Sequence, residues 1–416
     1  MPLFSPRFHP GHRVQLLQGA QELFPALVRA MDAARTSVLL ETYIFDTTGA
    51  GADIARALAR AAARGVRTQL VVDGVGTGRL PAHWFAHLRS AGVQVRVYAP
   101  LGPLGLLLPG QWRRLHRKLC VVDGTVLFCG GINILDDFHD PHFGALPAPR
   151  FDFAVRTEGA LVAQAQATME QLWWRLQAVH DARHYHLPQA VQALREAGVG
   201  LHMGMGQRTR SRTRAHSAHG LGMRAALLLR DNLRHRSRIE RAYRRAIAMA
   251  REDIIIANAY FLPGGKLRRA LVLAAQRGVR VRLLLQGRYE YFMPHHAVRP
   301  VYHTLLQAGV EIYEYAPSFL HAKVAVIDAQ GRRPWATVGS SNLDPLSLLL
   351  AREANVVVRD RAFASELHAR LCQAMAGAGQ RVQAVQLAQR PWHQRLLDRV
   401  AYALMRSALW LTGNRY

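Results

Sequence analysis

The sequence predicts an α/β protein made of two duplicated α/β/α domains, with mixed, mostly parallel sheets, related by a pseudo-two-fold axis. Three observations carry that expectation: an internal repeat, an alternation of apolar runs with Ala/Leu-periodic stretches, and one constellation of polar residues that occurs once in each half. Self-similarity on this scale fixes architecture before any single element is assigned. The segments SVLLETYIF (37–45), ALARAAARGVRTQLVVDG (57–74), LRSAGVQVRVYAP (88–100) and LHRKLCVVDG (115–124) return as DIIIANAYF (253–261), ALVLAAQRGVRVRLLLQG (270–287), LLQAGVEIYEYAP (305–317) and LHAKVAVID (320–328). Tyr43 matches Tyr260 and Pro100 matches Pro317, each pair 217 positions apart.

In each half an apolar, β-rich run is followed by a helical stretch ending at Arg-Gly, a second apolar run, a second helix and a third strand. Strands that alternate with helical stretches indicate βαβ units and a sheet covered on both faces. The segment that follows reads as two more strands joined by a tight turn at Asp123-Gly124, and a long helix, roughly 159–178, closes the first half. QRTRSRTRAHSAHG (207–220) has no apolar periodicity and reads as a basic linker. The chain therefore divides into a first domain at 1–206, the linker at 207–220, a second domain at 221–380 and a C-terminal amphipathic basic helix at 381–416. In that last stretch Leu396, Leu397, Val400, Leu404 and Leu411 form an apolar stripe beside Arg395, Arg399 and Arg406. It suits a membrane interface and docking on the second domain equally well.

The 416 residues carry 54 Lys plus Arg against 28 Asp plus Glu, a formal charge of +26, while half of all residues are hydrophobic. Such composition excludes a disordered basic tail and selects anionic partners, either nucleic acid or an acidic phospholipid surface. No apolar run is long enough to span a bilayer, and the first residues lack a signal-peptide core, so the chain is expected on the cytoplasmic side of the membrane. Cys120, Cys129 and Cys372 show no disulfide or metal spacing and read as reduced thiols. Lys occurs only at Lys118, Lys266 and Lys323. A position that keeps Lys in so Arg-rich a chain is a candidate for needing a compact ammonium instead of a planar fork.

Two of those lysines belong to the repeated constellation. The first copy is His116, Lys118, Asp123 and then Gly130-Gly131-Ile132-Asn133; the second is His321, Lys323, Asp328 and then Gly339-Ser340-Ser341-Asn342. On a strand, residues two apart share a face, so His and Lys of each copy project together, and a two-fold arrangement of the halves makes all four converge. Two ammoniums and the Asn133 and Asn342 amides can hold the non-bridging oxygens of a phosphodiester while one imidazole attacks phosphorus and the other donates a proton. Asp123 and Asp328 stand just before turns, where a backbone-bonding role is as open as a chemical one.

The doubled HxKxxxxD pattern, with its downstream G-[GS]-x-N, resembles the phospholipase D superfamily. ANAYFLPGG, GVEIYEYAP, LHAKVAVID and VGSSNLDPLSLLLAREANVVV resemble more narrowly the bacterial cardiolipin synthases of the short, B-type group, over about Gly11 to Ala374. The resemblance implies a phospholipase D-like fold in each half and transfer of a phosphatidyl group from phosphatidylglycerol, through a phosphatidyl-histidine, to a second phosphatidylglycerol. It implies catalytic His116, Lys118, Asp123, His321, Lys323 and Asp328, with Asn133, Asn342 and Ser340 in support. Asp152 and Glu353 match the carboxylates that orient the two His, and His116 matches the usual nucleophile. No cofactor, metal or obligate protein partner is implied. The expected partners are anionic phospholipid and the inner face of the cell membrane, with a peripheral location. Nucleic acid is disfavoured, since Tyr243 is the only aromatic residue among the arginines of 207–245.

The repeat is imperfect at one informative place. Pro100 precedes His116 by 16 residues, whereas Pro317 precedes His321 by four. The extra residues are apolar, then basic. Leu104, Leu106, Leu107 and Leu108 are expected to dip into the lipid interface, with Arg113 and Arg114 at the headgroups.

Overall fold

The structure, a computed structural model, describes residues 6–100, 113–141, 143–183, 186–206, 222–231, 237–288, 296–344, 351–384 and 391–411. The linker 207–220 and the leucines of the 101–114 insert lie outside these residues. The first half runs β1 (His9–Gln18), α1 (Gly19–Asp32), β2 (Ser37–Thr42), α2 (Gly51–Ala63), β3 (Arg67–Asp73), α3 (Ala82–Ser90), β4 (Gln94–Tyr98), β5 (Arg114–Leu115), β6 (Lys118–Val122), β7 (Val126–Gly130), β8 (His139–Asp140), β9 (Gly144–Ala145), β10 (Phe153–Glu158), α4 (Leu161–Arg183) and α5 (Leu187–Gly206). The second half repeats this order with β11 (Met223–Arg230), α6 (Arg238–Met249), β12 (Asp253–Asn258), α7 (Gly265–Gln276), β13 (Arg280–Gln286), α8 (Arg299–Gln307), β14 (Glu311–Tyr315), β15 (Lys323–Ile327), β16 (Trp335–Gly339), β17 (Ala351–Arg359), α9 (Arg361–Ala378), β18 (Gly379–Arg381) and α10 (Trp392–Leu411).

The strands of both halves form one continuous sheet, in the order β18-β14-β13-β12-β15-β16-β17-β11-β1-β10-β7-β6-β2-β3-β4. Among the described strands, parallel pairing joins β2-β3-β4, β12-β13-β14 and the short β5 with β17. Everything between is antiparallel, which corrects the expectation of mostly parallel sheets. The reason is local. Asp123-Gly124 is a two-residue turn with φ of 50° and 63°, the left-handed pair that closes a tight hairpin, so β6 and β7 must run opposite ways. β10 and β1 extend that antiparallel order to the seam, where β1 meets β11 across a register shift.

The two sides of the sheet carry different cores. On one side, Leu119, Val121, Leu127 and Phe153 of the first half share a cluster with Val324, Val326, Val338 and Val356 of the second, covered by α4 and α9. On the other side each half packs its own helices: Leu23, Ile54 and Leu58 in the first, Ile239, Leu267 and Leu305 in the second. Full burial of such side chains contributes roughly 1.5–3 kcal/mol each, so the shared cluster adds to the strand pairing that joins the halves.

Candidate active site

The site lies where the two halves exchange backbone. Leu115 ends β5, which pairs with the start of β17, and the His116 N–H donates to the Arg352 carbonyl at 3.1 Å. The matching segment of the second half does the same in reverse: Leu320 bridges to Phe151, and the His321 N–H donates to the Phe151 carbonyl at 2.9 Å. Each imidazole is thus carried out of its own half and fixed against the other. Asp73 and Gln286, the last residues of β3 and β13, hold the residue before each His: Asp73 accepts from Leu115 N–H at 2.8 Å and Gln286 from Leu320 N–H at 3.0 Å. Nothing in the motif spacing singles these two out, although LVVDG and LLLQG place them at matching positions of the repeat.

The carboxylates cross over. His116 Nδ1 lies 3.0 and 3.2 Å from the two oxygens of Glu353, and His321 Nδ1 lies 2.6 Å from Asp152. Each His is therefore oriented by an acid from the opposite half. Both lysines enter the same space. Lys118 Nζ donates to the His116 carbonyl at 2.8 Å and stands 5.5 Å from the centre of the Tyr43 ring, which itself lies 5.1 Å from the His116 ring. Lys323 Nζ donates to the His321 carbonyl. Glu353, Lys323, Asp152 and Lys118 are all buried, whereas the His116 and His321 side chains keep 16% and 26% of their surface. Of these side chains the imidazoles are the ones most open to a substrate.

The downstream G-[GS]-x-N segments do different things in the two halves. Ser340 Oγ donates to Glu353, while Ser340 also accepts from the Ala354 N–H at 3.1 Å. Its counterpart Gly131 faces Asp152 so closely that a Cβ there would stand 2.4 Å from a carboxylate oxygen. Asp152 takes instead the Phe153 N–H at 2.7 Å. Arg230, fully buried, sits opposite Glu353 in the β11–β17 register. Asn133 accepts the Ile44 N–H at 3.1 Å through its oxygen, and its NH2 is the end suited to a phosphate oxygen. Asn342, its counterpart in the second copy of the motif, is buried.

These differences separate the two dyads electrostatically. Burial alone would raise Glu353, but His116, Arg230 and Lys118 hold its carboxyl below the ordinary value. Burial pushes Asp152 up to about 7 against the pull of Lys323. Both imidazoles are depressed, His116 by burial against the support of Glu353, and His321 further, by burial and then by Lys323 and Lys118. His116 therefore faces a carboxyl held toward its ionised form, while burial favours the protonated form of Asp152, so that the His321–Asp152 pair is the one suited to hold an extra proton near neutrality. The two pairs are thus suited to opposite roles, one to base and the other to acid chemistry. Burial, then the nearby Lys323, lowers Lys118 to about 7, so an incoming phosphodiester anion would restore its charge.

Two expected site residues and one expected surface residue fall elsewhere. Asp123 accepts from the N–H groups of Arg35, Thr36 and Ser37, and Asp328 from those of Arg251, Glu252 and Asp253. They lie seven residues from their His along a strand, roughly 20 Å at ~3.3 Å per residue, and cannot touch a group bound there. Their direct catalytic assignment is corrected to a turn role, each tying its hairpin to the chain entering β2 or β12. Asp328→Ala leaves three backbone N–H groups without their acceptor and is expected to cost about 1–3 kcal/mol of stability, with turnover per folded molecule unchanged; a thermal melt paired with an active-fraction assay checks both. Arg114, expected at lipid headgroups, turns inward to Asp73 at 3.2 Å and to the Ala99 carbonyl at 3.1 Å.

The family model described as "Cardiolipin synthase, PLD-like domain" matches residues 27–144 and 243–375. The chain is 35% identical over 412 residues to cardiolipin synthase B of Escherichia coli K12, covering 97% of this chain and 90% of that one. It is 28% identical over 343 residues to a cardiolipin synthase of Halalkalibacterium halodurans, covering 82% and 61% respectively. Among solved structures, phosphatidylserine synthase of Haemophilus influenzae superposes with a TM-score of 0.62 at 14% identity, covering 99% of this chain and 97% of that one, a likeness of fold.

Proposed function

The chain belongs to the family of phospholipase D-like cardiolipin synthases, and we propose that it joins two phosphatidylglycerol molecules into cardiolipin with release of glycerol. The observation that carries this reading is the pair of crossed His–carboxylate dyads around two buried lysines. Lys118, Lys323 and the Asn133 and Asn342 amides bind the non-bridging oxygens of the donor phosphodiester. His116 Nε2 attacks phosphorus as Nδ1–H stays on Glu353. The bond from phosphorus to the glycerol oxygen breaks, and that oxygen takes a proton from His321, which Asp152 steadies. Glycerol leaves, and a hydroxyl of the second phosphatidylglycerol enters. His321 removes its proton, the new P–O bond forms and the P–N bond breaks, restoring His116. One phosphodiester replaces another, so the exchange needs no nucleotide. Water must be kept from the phosphatidyl-histidine, which a site closed by lipid would do.

The protein acts as a peripheral enzyme on the cytoplasmic face of the membrane, a location its positive charge favours. No helix among the described residues is long and apolar enough to cross a membrane. Purified protein with radiolabelled phosphatidylglycerol in mixed micelles is expected to give cardiolipin and glycerol in equal amounts, with or without EDTA. Phosphatidic acid as the sole lipid product would make it a hydrolase, and full loss with EDTA restored by one metal would overturn the metal-free mechanism.

A further inference from the structure

The C-terminal helix α10 shows its apolar face to solvent. Trp392, Leu396, Leu397, Val400 and Leu404 are 71%, 53%, 38%, 45% and 57% exposed, and at 100° per residue they occupy one arc of the helix. The opposite side is docked. Asp398 and Ala401 are buried, Asp398 lies 2.7 Å from His296 Nδ1, and Arg268 donates to the Tyr402 hydroxyl at 3.3 Å. An amphipathic helix in a soluble protein turns its apolar stripe inward; this one turns it outward. Arg395 and Arg399, both exposed, flank one edge of the stripe.

The docking residues fix which way that face looks. Arg268 is in the first turn of α7, and His296 immediately precedes α8. In a βαβ unit the helices run against the parallel strands, so both helix starts lie at the C-terminal ends of β12 and β13. That is the end where Asn258 pairs with Lys323 and Gln286 holds Leu320. Close to His321 in the chain another apolar group is exposed on the first half: Phe143, 50% exposed, packs at 5.2 Å on Phe319, two residues before His321. Arg150 braces the β8–β9 hairpin that carries it, donating to the Asp136 and His139 carbonyls and to Asp140.

We infer that the exposed face of α10 lies in the headgroup–acyl boundary of an anionic bilayer and sets the site opening against the lipid surface. Charge complementarity selects this occupant: the stripe is edged by arginines on a chain of net charge +26, and an interfacial helix of this kind combines apolar insertion with attraction to anionic lipid. The inference deepens the proposed function by naming the surface through which lipid is met. Its test is independent of turnover.

Sedimentation with phosphatidylglycerol-containing vesicles is expected to bring down the full chain, and neutral phosphatidylcholine vesicles much less. The variant Leu396→Ser/Val400→Ser/Leu404→Ser is expected to lose at least about tenfold in vesicle affinity, with the melting temperature and turnover on detergent-dispersed substrate unchanged. Arg395→Glu/Arg399→Glu, which leaves the apolar arc intact, is expected to weaken binding to anionic vesicles alone. Bimane attached at Leu396→Cys is expected to be quenched by lipid-borne nitroxide. Undiminished vesicle binding by both folded variants would overturn the inference, as would a concentration-dependent dimer that the Ser variant dissolves. Should the Ser variant fail to fold, the charge variant and the bimane signal still decide. Vesicle binding without cardiolipin synthesis would count against the proposed function and leave this inference standing.

Discussion

His116→Ala is expected to reduce phosphatidyl transfer by about 10³-fold or more, His321→Ala by a similar factor, and the double variant by no more than either. The non-additivity follows from the site: a single phosphorus is worked on by two imidazoles, and removing one leaves the other with no reaction to complete. The two single variants differ in what they can trap. His321→Ala keeps the His116–Glu353 dyad and can still form the phosphatidyl-histidine from a donor whose leaving group needs no proton. His116→Ala retains only the His321–Asp152 pair. Acid-quenched protein exposed to a labelled p-nitrophenyl phosphodiester of lipid is therefore expected to carry label in His321→Ala and not in His116→Ala; the opposite pattern would reverse the roles.

Glu353→Gln and Asp152→Asn are each expected to lower kcat/KM by roughly 10²-fold or more at neutral pH, and to move opposite limbs of the pH profile. In the unaltered protein the acid limb comes from protonation of the His116–Glu353 dyad. With His116 held below its ordinary 6.5, that limb lies on the acid side of 6.5. The alkaline limb comes from loss of the extra proton of the His321–Asp152 dyad as pH rises through about 7. Gln at 353 removes the anion that raises His116, so the acid limb shifts to lower pH. Asn at 152 removes the group that stores the proton and leaves His321, depressed well below 6.5, to lose it alone, so the alkaline limb shifts to lower pH. Profiles of kcat/KM from pH 5 to 9 check both; one limb responding to both variants would refute the division of labour.

The duplication, the βα alternation and the His and Lys residues that the structure brings together were legible, because each is written in local spacing and appears twice, while Asp152 and Glu353 came through the family resemblance. Strand direction was not: periodicity identifies Lys118–Val122 as a strand, but its direction against β2 depends on the connection from β4 that precedes it, and the Asp123-Gly124 turn sets only β7 against β6. The crossed pairing was beyond reach, since 237 residues separate His116 from Glu353 and 169 separate His321 from Asp152, and the sequence names the acids without assigning either to a His. Asp123 was misplaced because its motif membership and its turn position gave opposite readings, and the three N–H groups it accepts belong to a segment 86 to 88 residues earlier. The stripe of α10 was visible as amphipathicity, but which side is docked depends on His296 and Arg268, partners outside the helix.

The exchange of acids across the seam makes the catalytic centre an interlock. If each half supplied both members of its own dyad, a small rotation between halves would only separate two intact half-sites. Here the same rotation draws Glu353 from His116 and Asp152 from His321 together, disarming nucleophile and acid at once. Chemistry is thereby tied to one relative setting of the halves.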